Sequence, residues 1–392
     1  MIRVQSVYRL MAYLFFAYSS MTIVTSYLPV YFSAVGLTAG EIGVLMAVGP
    51  FAMILAQPTW GFLSDKYKSI KRMLQIALIG MIVAVFAFMG AASFAGYFIM
   101  MFVLFLFLSP TTALGDSLAQ KTAINRRLSF GKIRMWGSLG FGFTSLAVGY
   151  ILAAIGVTYI MVPLLVVTVI SLWLSFGLED FSDTTKPVTL LSALKLAIDP
   201  KIFFFLVCIV FITVTHRTND IFLSIYIVEL GGPESYIGWA WFIGVATEAA
   251  VLATSTLWFR KFSPIGFVIF AAVFYGVRWW LVSMVAVPWL LLPLQTLHGM
   301  TFGVFYVAAF AFVSHLIPKH LQATGHVLFI STTFGLSGIF GSLFGGWMIQ
   351  AFSIPTLYSY LALSAFIGAL GMTVYHFVYK KSFHPLPAIA EK

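Results

Sequence analysis

Residues 115–141 read GDSLAQKTAINRRLSFGKIRMWGSLGF. Strongly apolar sequence flanks the stretch on both sides, and within it an acid, Asp116, and an arginine, Arg134, stand eighteen residues apart. The pattern is that of a chain leaving one membrane helix, turning through a basic loop and entering the next, since a helix needs about 20 apolar residues to cross a bilayer. A carboxylate and a guanidinium on adjacent membrane helices can line a polar cavity that lipid would otherwise forbid.

The same kind of apolar run recurs along all 392 residues, which are 61% hydrophobic and only 9% charged. A water-soluble domain carries roughly a quarter charged residues, so an ordinary soluble protein is excluded. The expected fold class is all-α polytopic membrane protein with twelve transmembrane helices. The predicted spans are 8–33, 41–63, 72–93, 97–121, 132–155 and 159–178, then 201–228, 235–259, 264–285, 288–316, 322–350 and 354–379. The first run is too long for the core of a signal peptide, which predicts that it stays as the first helix. The single cysteine, Cys208, excludes an intrachain disulfide.

A formal charge of +10 could suggest nucleic acid, but its distribution does not. Lysines and arginines gather in alternate loops: Lys66, Lys68, Lys71 and Arg72; Lys121, Arg126, Arg127 and Lys132; Arg260 and Lys261; Lys319; Lys380 and Lys381. The six intervening loops hold none, so both termini are expected on the cytoplasmic side of the plasma membrane. Arg126 and Arg127 read as ordinary charge of an inside loop.

The polar segment from Glu179 to Lys201 divides the chain near its middle and reads as a cytoplasmic linker, with a short surface helix near 190–197. The expected organisation is two six-helix bundles, 1–178 and 201–392, joined by residues 179–200. An internal repeat supports it. A shift of 195 positions places Leu28 on Leu223, Tyr31 on Tyr226, Gly36 on Gly231, Ile42 on Ile237, Gly43 on Gly238 and Gly49 on Gly244, without a gap. Repeated halves with a site near the midplane are the plan of many secondary transporters.

A charge at mid-bilayer costs roughly 2.5–3.5 kcal/mol on the lenient insertion scale. The seventh predicted span nevertheless carries HRTND, with His216 and Arg217 one turn from Asp220 on the same face. The eighth adds Glu248, the ninth Arg278 and the tenth His298. These groups can simply neutralise one another and fix helix packing. As a set they mark a pathway, and Asp220 and Glu248 are the candidate proton carriers, with Arg217 and Arg278 as movable partners. No H-E-x-x-H or G-x-S-x-G motif occurs, so neither an enzyme nor a metal site is expected.

The loop GFLSDKYKSIKR, residues 61–72, resembles the signature loop of the major facilitator superfamily, with Gly61, Leu63 and Asp65 followed by basic residues; the family's second glycine is missing, and Lys68 stands near its place. Asp65 is placed to cap a neighbouring helix N-terminus. The resemblance makes Gly61, Asp65, Lys66 and Arg72 part of a cytoplasmic gate. WFRKFSPIG, residues 258–266, is a weak echo of the same loop.

A closer resemblance covers most of the chain and is to the lactose-permease branch with its phenylpropionate-permease-like relatives. FGKIRMWGSLGF, residues 130–141, matches that branch's fifth helix, and QTLHGMTFGVF, residues 295–305, its tenth. The resemblance implies that Asp116 and Arg134 bind substrate, that Phe141 packs on a ring of it, and that Asp220, Glu248, Arg278 and His298 form the proton and substrate network, with His216 and Arg217 beside them. The departures are Thr301 for the branch's glutamate, Gln295 for its lysine, Val251 for its asparagine and Arg217 for an aspartate. The expected function is proton-coupled symport of a small polar organic molecule, sugar-like or an aromatic carboxylate, by a monomer in the lipid bilayer with no cofactor besides the proton. The alternative within the same fold is a proton-driven exporter of drugs or metabolites.

Overall fold

The computed structural model describes residues 2–180, 196–259, 263–317 and 321–379. Arg260, Lys261, Lys319, Lys380, Lys381, the linker residues Asp183, Lys186 and Pro187, and positions 190–195 of the predicted surface helix lie outside the described residues. Twelve helices long and apolar enough to cross a membrane are present among the described residues: α1 (Ser6–Ala34), α2 (Ala39–Lys66), α3 (Ile70–Met89), α4 (Phe94–Arg126), α5 (Phe130–Ile155), α6 (Val157–Ser175), α7 (Pro200–Glu229), α8 (Glu234–Ser255), α9 (Pro264–Ser283), α10 (Pro288–Leu316), α11 (Thr324–Ala351) and α12 (Ile354–Tyr379). In lipid a helix satisfies its own backbone, so only its ends need partners. Thr38 and Glu41 form a capping box at the start of α2, Ser93 caps α4, and Asp199 followed by Pro200 opens α7.

Within the first half α1 packs on α5 and α6, α3 on α4 and α6, and α2 on α4. The counterparts six helices later pack the same way: α7 on α11 and α12, α9 on α10 and α12, α8 on α10. The halves meet through α5 against α8, α2 against α11 and α1 against α7. Outward faces carry large exposed apolar side chains such as Val83, Phe86, Trp173, Leu370 and Phe377, the surface that lipid covers.

The repeat reappears at the contact between the halves. Gly36 and Gly231 end equivalent helices with φ of 90° and 83°, the left-handed region open to glycine. Gly43 and Gly238 are equivalent close approaches. A Cβ at Gly43 would lie 2.4 Å from the Ser342 carbonyl oxygen of α11, and one at Gly238 2.5 Å from that of Ser145 in α5. Small residues let backbones approach where van der Waals contact drives association. The Ser145 hydroxyl donates to the Gly238 carbonyl at 3.2 Å, and the Tyr27 hydroxyl to that of Ser145 at 2.5 Å. The halves are pressed together at this end.

Three expectations are corrected here. The fourth helix continues to Arg126 rather than ending near 121, so Lys121 and Arg126 ride on its last turns. Arg126 is not mere loop charge, because its Nη2 donates to the Glu179 carboxylate at 2.5 and 2.6 Å and ties α4 to the segment after α6. Asp65 lies inside α2 and does not cap α3. Ser69 accepts from the Arg72 amide at 3.1 Å and donates to Asp180, whose other oxygen accepts from the Lys71 amide at 3.1 Å. Asp180 holds that site because a carboxylate is favoured where helix amides are unpaired. The missing glycine is legible in the backbone, since Lys68 is left-handed at φ 48°.

Replacing Gly43 and Gly238 together by Trp should keep the pressed end from closing. A cysteine introduced at buried Ser342 is expected to be protected from a hydrophilic maleimide in the parent chain and reactive in the double variant; equal protection in both would contradict the packing described.

Candidate functional site in the cavity between the halves

Asp116 on α4 and Arg134 on α5 form an ion pair, with Arg134 Nε 2.9 Å from Oδ1 and 3.1 Å from Oδ2 of the carboxylate. Tyr18 of α1 completes it, donating its hydroxyl to Asp116 Oδ2 at 2.7 Å while the guanidinium carbon lies 3.9 Å from its ring centroid. The two charged side chains are 31% and 28% exposed, so the pair opens to the space between the halves. Phe141, about two turns further along the same face of α5, meets Trp241 of α8 edge-on at 5.6 Å and stands at the seam.

The second half assembles the other candidates. Arg217 donates to Asp220 one turn on, and its guanidinium lies 5.0 Å from the Phe334 ring of α11. His216 Nε2 is 3.7 Å from the same Asp220 oxygen, and its ring stacks on Phe302 of α10 at 4.5 Å. His298 Nε2 is 3.4 Å from Glu248 Oε2, linking α10 to α8. Arg278 of α9 is fully buried. Its Nη2 donates to Gln295 Oε1 at 2.6 Å and its Nη1 to Thr301 Oγ1 at 3.0 Å, with His298 Nδ1 at 3.4 Å. Because Arg has only donors, the arrangement makes Nδ1 the acceptor and leaves the Nε2 hydrogen facing Glu248. Gln295 and Thr301 are two of the departures from the lactose-permease pattern, and both are direct partners of Arg278. A lysine and a glutamate are thus replaced by two neutral acceptors around one guanidinium.

The structure therefore brings together Asp116 with Arg134, and His216, Arg217, Asp220, Glu248, Arg278 and His298 in one neighbourhood. Among the described residues no hydrogen bond or ion pair joins the two groups; Tyr306 of α10 bridges them, within electrostatic reach of both Arg134 and Glu248. Gly61, Asp65 and Lys66 lie in the last turns of α2 and Arg72 in the first turn of α3, and among the described residues no hydrogen bond or ion pair joins them to the site. Tyr18, Tyr306, Phe302 and Phe334 were not singled out from the sequence, where aromatic residues at 17% are too common to distinguish. The same holds for the two π-helical turns, Gly299–Gly303 and Ser331–Leu336, that face the site from α10 and α11. Such turns often occur at functional sites, and the glycine and hydroxyl content of both stretches was their only trace.

Residues 7–360 match the model of the MFS_1 like family. The chain belongs to that family. It is a membrane transporter, an integral protein of the plasma membrane. It is 26% identical to an uncharacterized transporter, YwbF, of Bacillus subtilis, over 91% of this chain and 90% of the relative. It is 30% identical to a probable 3-phenylpropionic acid transporter of Escherichia coli, over 73% of this chain and 76% of the relative. A crystal structure of the nucleoside transporter NupG superposes with a TM-score of 0.84 at 15% identity, covering 94% of this chain and 98% of that one, which establishes the shared major facilitator fold.

Removing one partner of the part-buried Arg217–Asp220 pair should cost up to about 3–5 kcal/mol, since the other charge is left uncompensated. Arg217→Ala and Asp220→Ala are each expected to lower the melting temperature in detergent, and the double substitution to regain a large part of the loss. An additive double variant would show that the two do not act as a pair.

Proposed function

We propose that this transporter is a secondary active symporter that moves a small polar organic molecule with protons by alternating access. The observation that carries the reading is the partly exposed Asp116–Arg134–Tyr18 group at the cavity between two repeat-related halves. The halves, 1–178 and 201–392, rock about that cavity, with the segment 179–200 as their tether. The basic loops face the cytoplasm, as the charge distribution favours.

In this reading Arg134 and Asp116 hold the polar end of the substrate and Phe141 packs on its ring, with His216 and Glu248 facing it from the second half. The coupling proton is assigned to the intramembrane carboxylates Asp116, Asp220 and Glu248 as a set, with Arg217, Arg278 and His298 setting the charge around the latter two. Gly61, Asp65, Lys66 and Arg72 serve the cytoplasmic gate. The substrate class, sugar-like or aromatic carboxylate, is supported by the kinds of relatives the chain has, one of them named for 3-phenylpropionic acid.

A thermal-stability screen of the purified chain against sugars, glycosides, nucleosides and aromatic carboxylates tests the site. A ligand at a hundred times its Kd stabilises by about 2.7 kcal/mol, enough to read as a shift in Tm. The shift should vanish in Arg134→Ala. A shift that survives there would move the site elsewhere, and efflux driven by a proton gradient in proteoliposomes would replace symport by export.

A further inference from the structure

The binding group in the first half keeps the end of its guanidinium without an acid partner. Arg134 meets Asp116 only side-on, through Nε. Its two terminal amino groups lie against Tyr18, and among the described residues no carboxylate or carbonyl oxygen accepts from them, although the fork they form is the part of a guanidinium that binds a carboxylate bidentately. Asp116 accepts from Tyr18 and from Arg134 through Oδ2, while its enclosed Oδ1 lies 2.9 Å from Arg134 Nε and accepts no hydrogen bond.

We propose that the ligand of this site is a carboxylate anion, and that Asp116 takes up one proton when it binds. This rests on the transport reading above and deepens it by naming the substrate class and the residue that carries the proton of the binding step. The anion occupies the fork of Arg134. Two carboxylates then share one guanidinium, and like charges at that spacing cannot both stay ionised. The ligand holds the bidentate end, so the proton goes to Asp116. The neutral acid keeps its place by donating to the Tyr18 oxygen, because a phenol can donate or accept. The charge of the group is unchanged: one cation and one anion before, one cation and one anion after, with a proton added from solution.

The surroundings leave this exchange to Asp116. From α1, Tyr13 and Tyr18 face it, and from α5, Arg134. The α2 and α3 helices also pack on α4 but bring no charged or titratable group to act on Asp116 among the described residues. On α4 itself the nearest charged residue is Lys121, more than a turn away. The other arginines are engaged differently. Arg278 is fully buried among Gln295, Thr301 and His298, and Arg217 holds Asp220 on its own helix, so rigid movement of a half does not part them.

The test is calorimetry on the full chain with benzoate, phenylacetate and 3-phenylpropionate, their amides, and neutral sugars and nucleosides, in buffers of different ionisation enthalpy across about pH 5.5 to 8.5. At least one carboxylate should bind with one proton taken up, its affinity falling about tenfold per pH unit at the alkaline end, and its amide should not bind. Asp116→Asn should keep the binding, lose the proton uptake and make affinity independent of pH. Tyr18→Phe removes a donor that favours the ionised acid, so it should move the onset of the fall to higher pH; this serves if Asp116→Asn does not fold.

The proposal is overturned if no carboxylate of the panel binds, if one binds without proton uptake, or if Asp116→Asn abolishes binding. It also falls if the proton is lost in Glu248→Gln or Asp220→Asn instead. A neutral sugar or nucleoside whose binding disappears in Arg134→Ala would sink the carboxylate assignment and leave the site standing. A ligand whose binding survives Arg134→Ala would sink both.

Discussion

A guanidinium inside a bilayer must find every acceptor it needs within the protein, because no water is at hand to supply one. Three arginines in this chain approach that requirement in three ways, Arg217 and Arg278 each leaving a buried Nε without an acceptor. Arg278 is wrapped by neutral acceptors, Arg217 is matched by an acid on the next turn of its own helix, and Arg134 is matched by an acid on a neighbouring helix and stays partly open. Only the last leaves a donor edge toward the cavity. The placement of the helices, the small residues at their crossings and the aromatic walls all serve to keep these arrangements closed to lipid.

The neutral cage around Arg278 shows how such a network changes within one fold. With Gln295 and Thr301 in place of a lysine and a glutamate, the guanidinium keeps hydrogen bonds of 2.6 and 3.0 Å without any carboxylate within ion-pair distance among the described residues. Removing a cation and an anion together costs little in net charge, and neutral acceptors suffice for a donor-only group. Proton chemistry that a glutamate at this place would support is then no longer available there. That is why attention shifts to the carboxylates that remain.

Much of this was legible from residue types. Twelve apolar runs, alternate basic loops and the repeat at 195 positions led to the helix count, and the same repeat reappears as Gly36 with Gly231 and Gly43 with Gly238 at the contact of the halves. Asp116 and Arg134 stood out because charges are rare in such sequence. Tyr18 did not, since a tyrosine 98 positions from its partner in a chain rich in aromatics carries no local mark. The group that holds the N-terminus of α3 was equally hidden, since Asp180 reaches it from the far side of four helices.

The sequence by itself determined that the chain spans a membrane twelve times, in two related halves, with a small set of charges that cannot face lipid. Hydropathy and charge cost are properties of residues one at a time, and periodic sequence records them directly. Only the tertiary structure decided which charge meets which. It also showed that two helices carry π-helical turns beside the site, and that the halves press together around Gly43 and Gly238. Those outcomes depend on distances between helices remote in the chain, where an ångström separates an ion pair from an open donor.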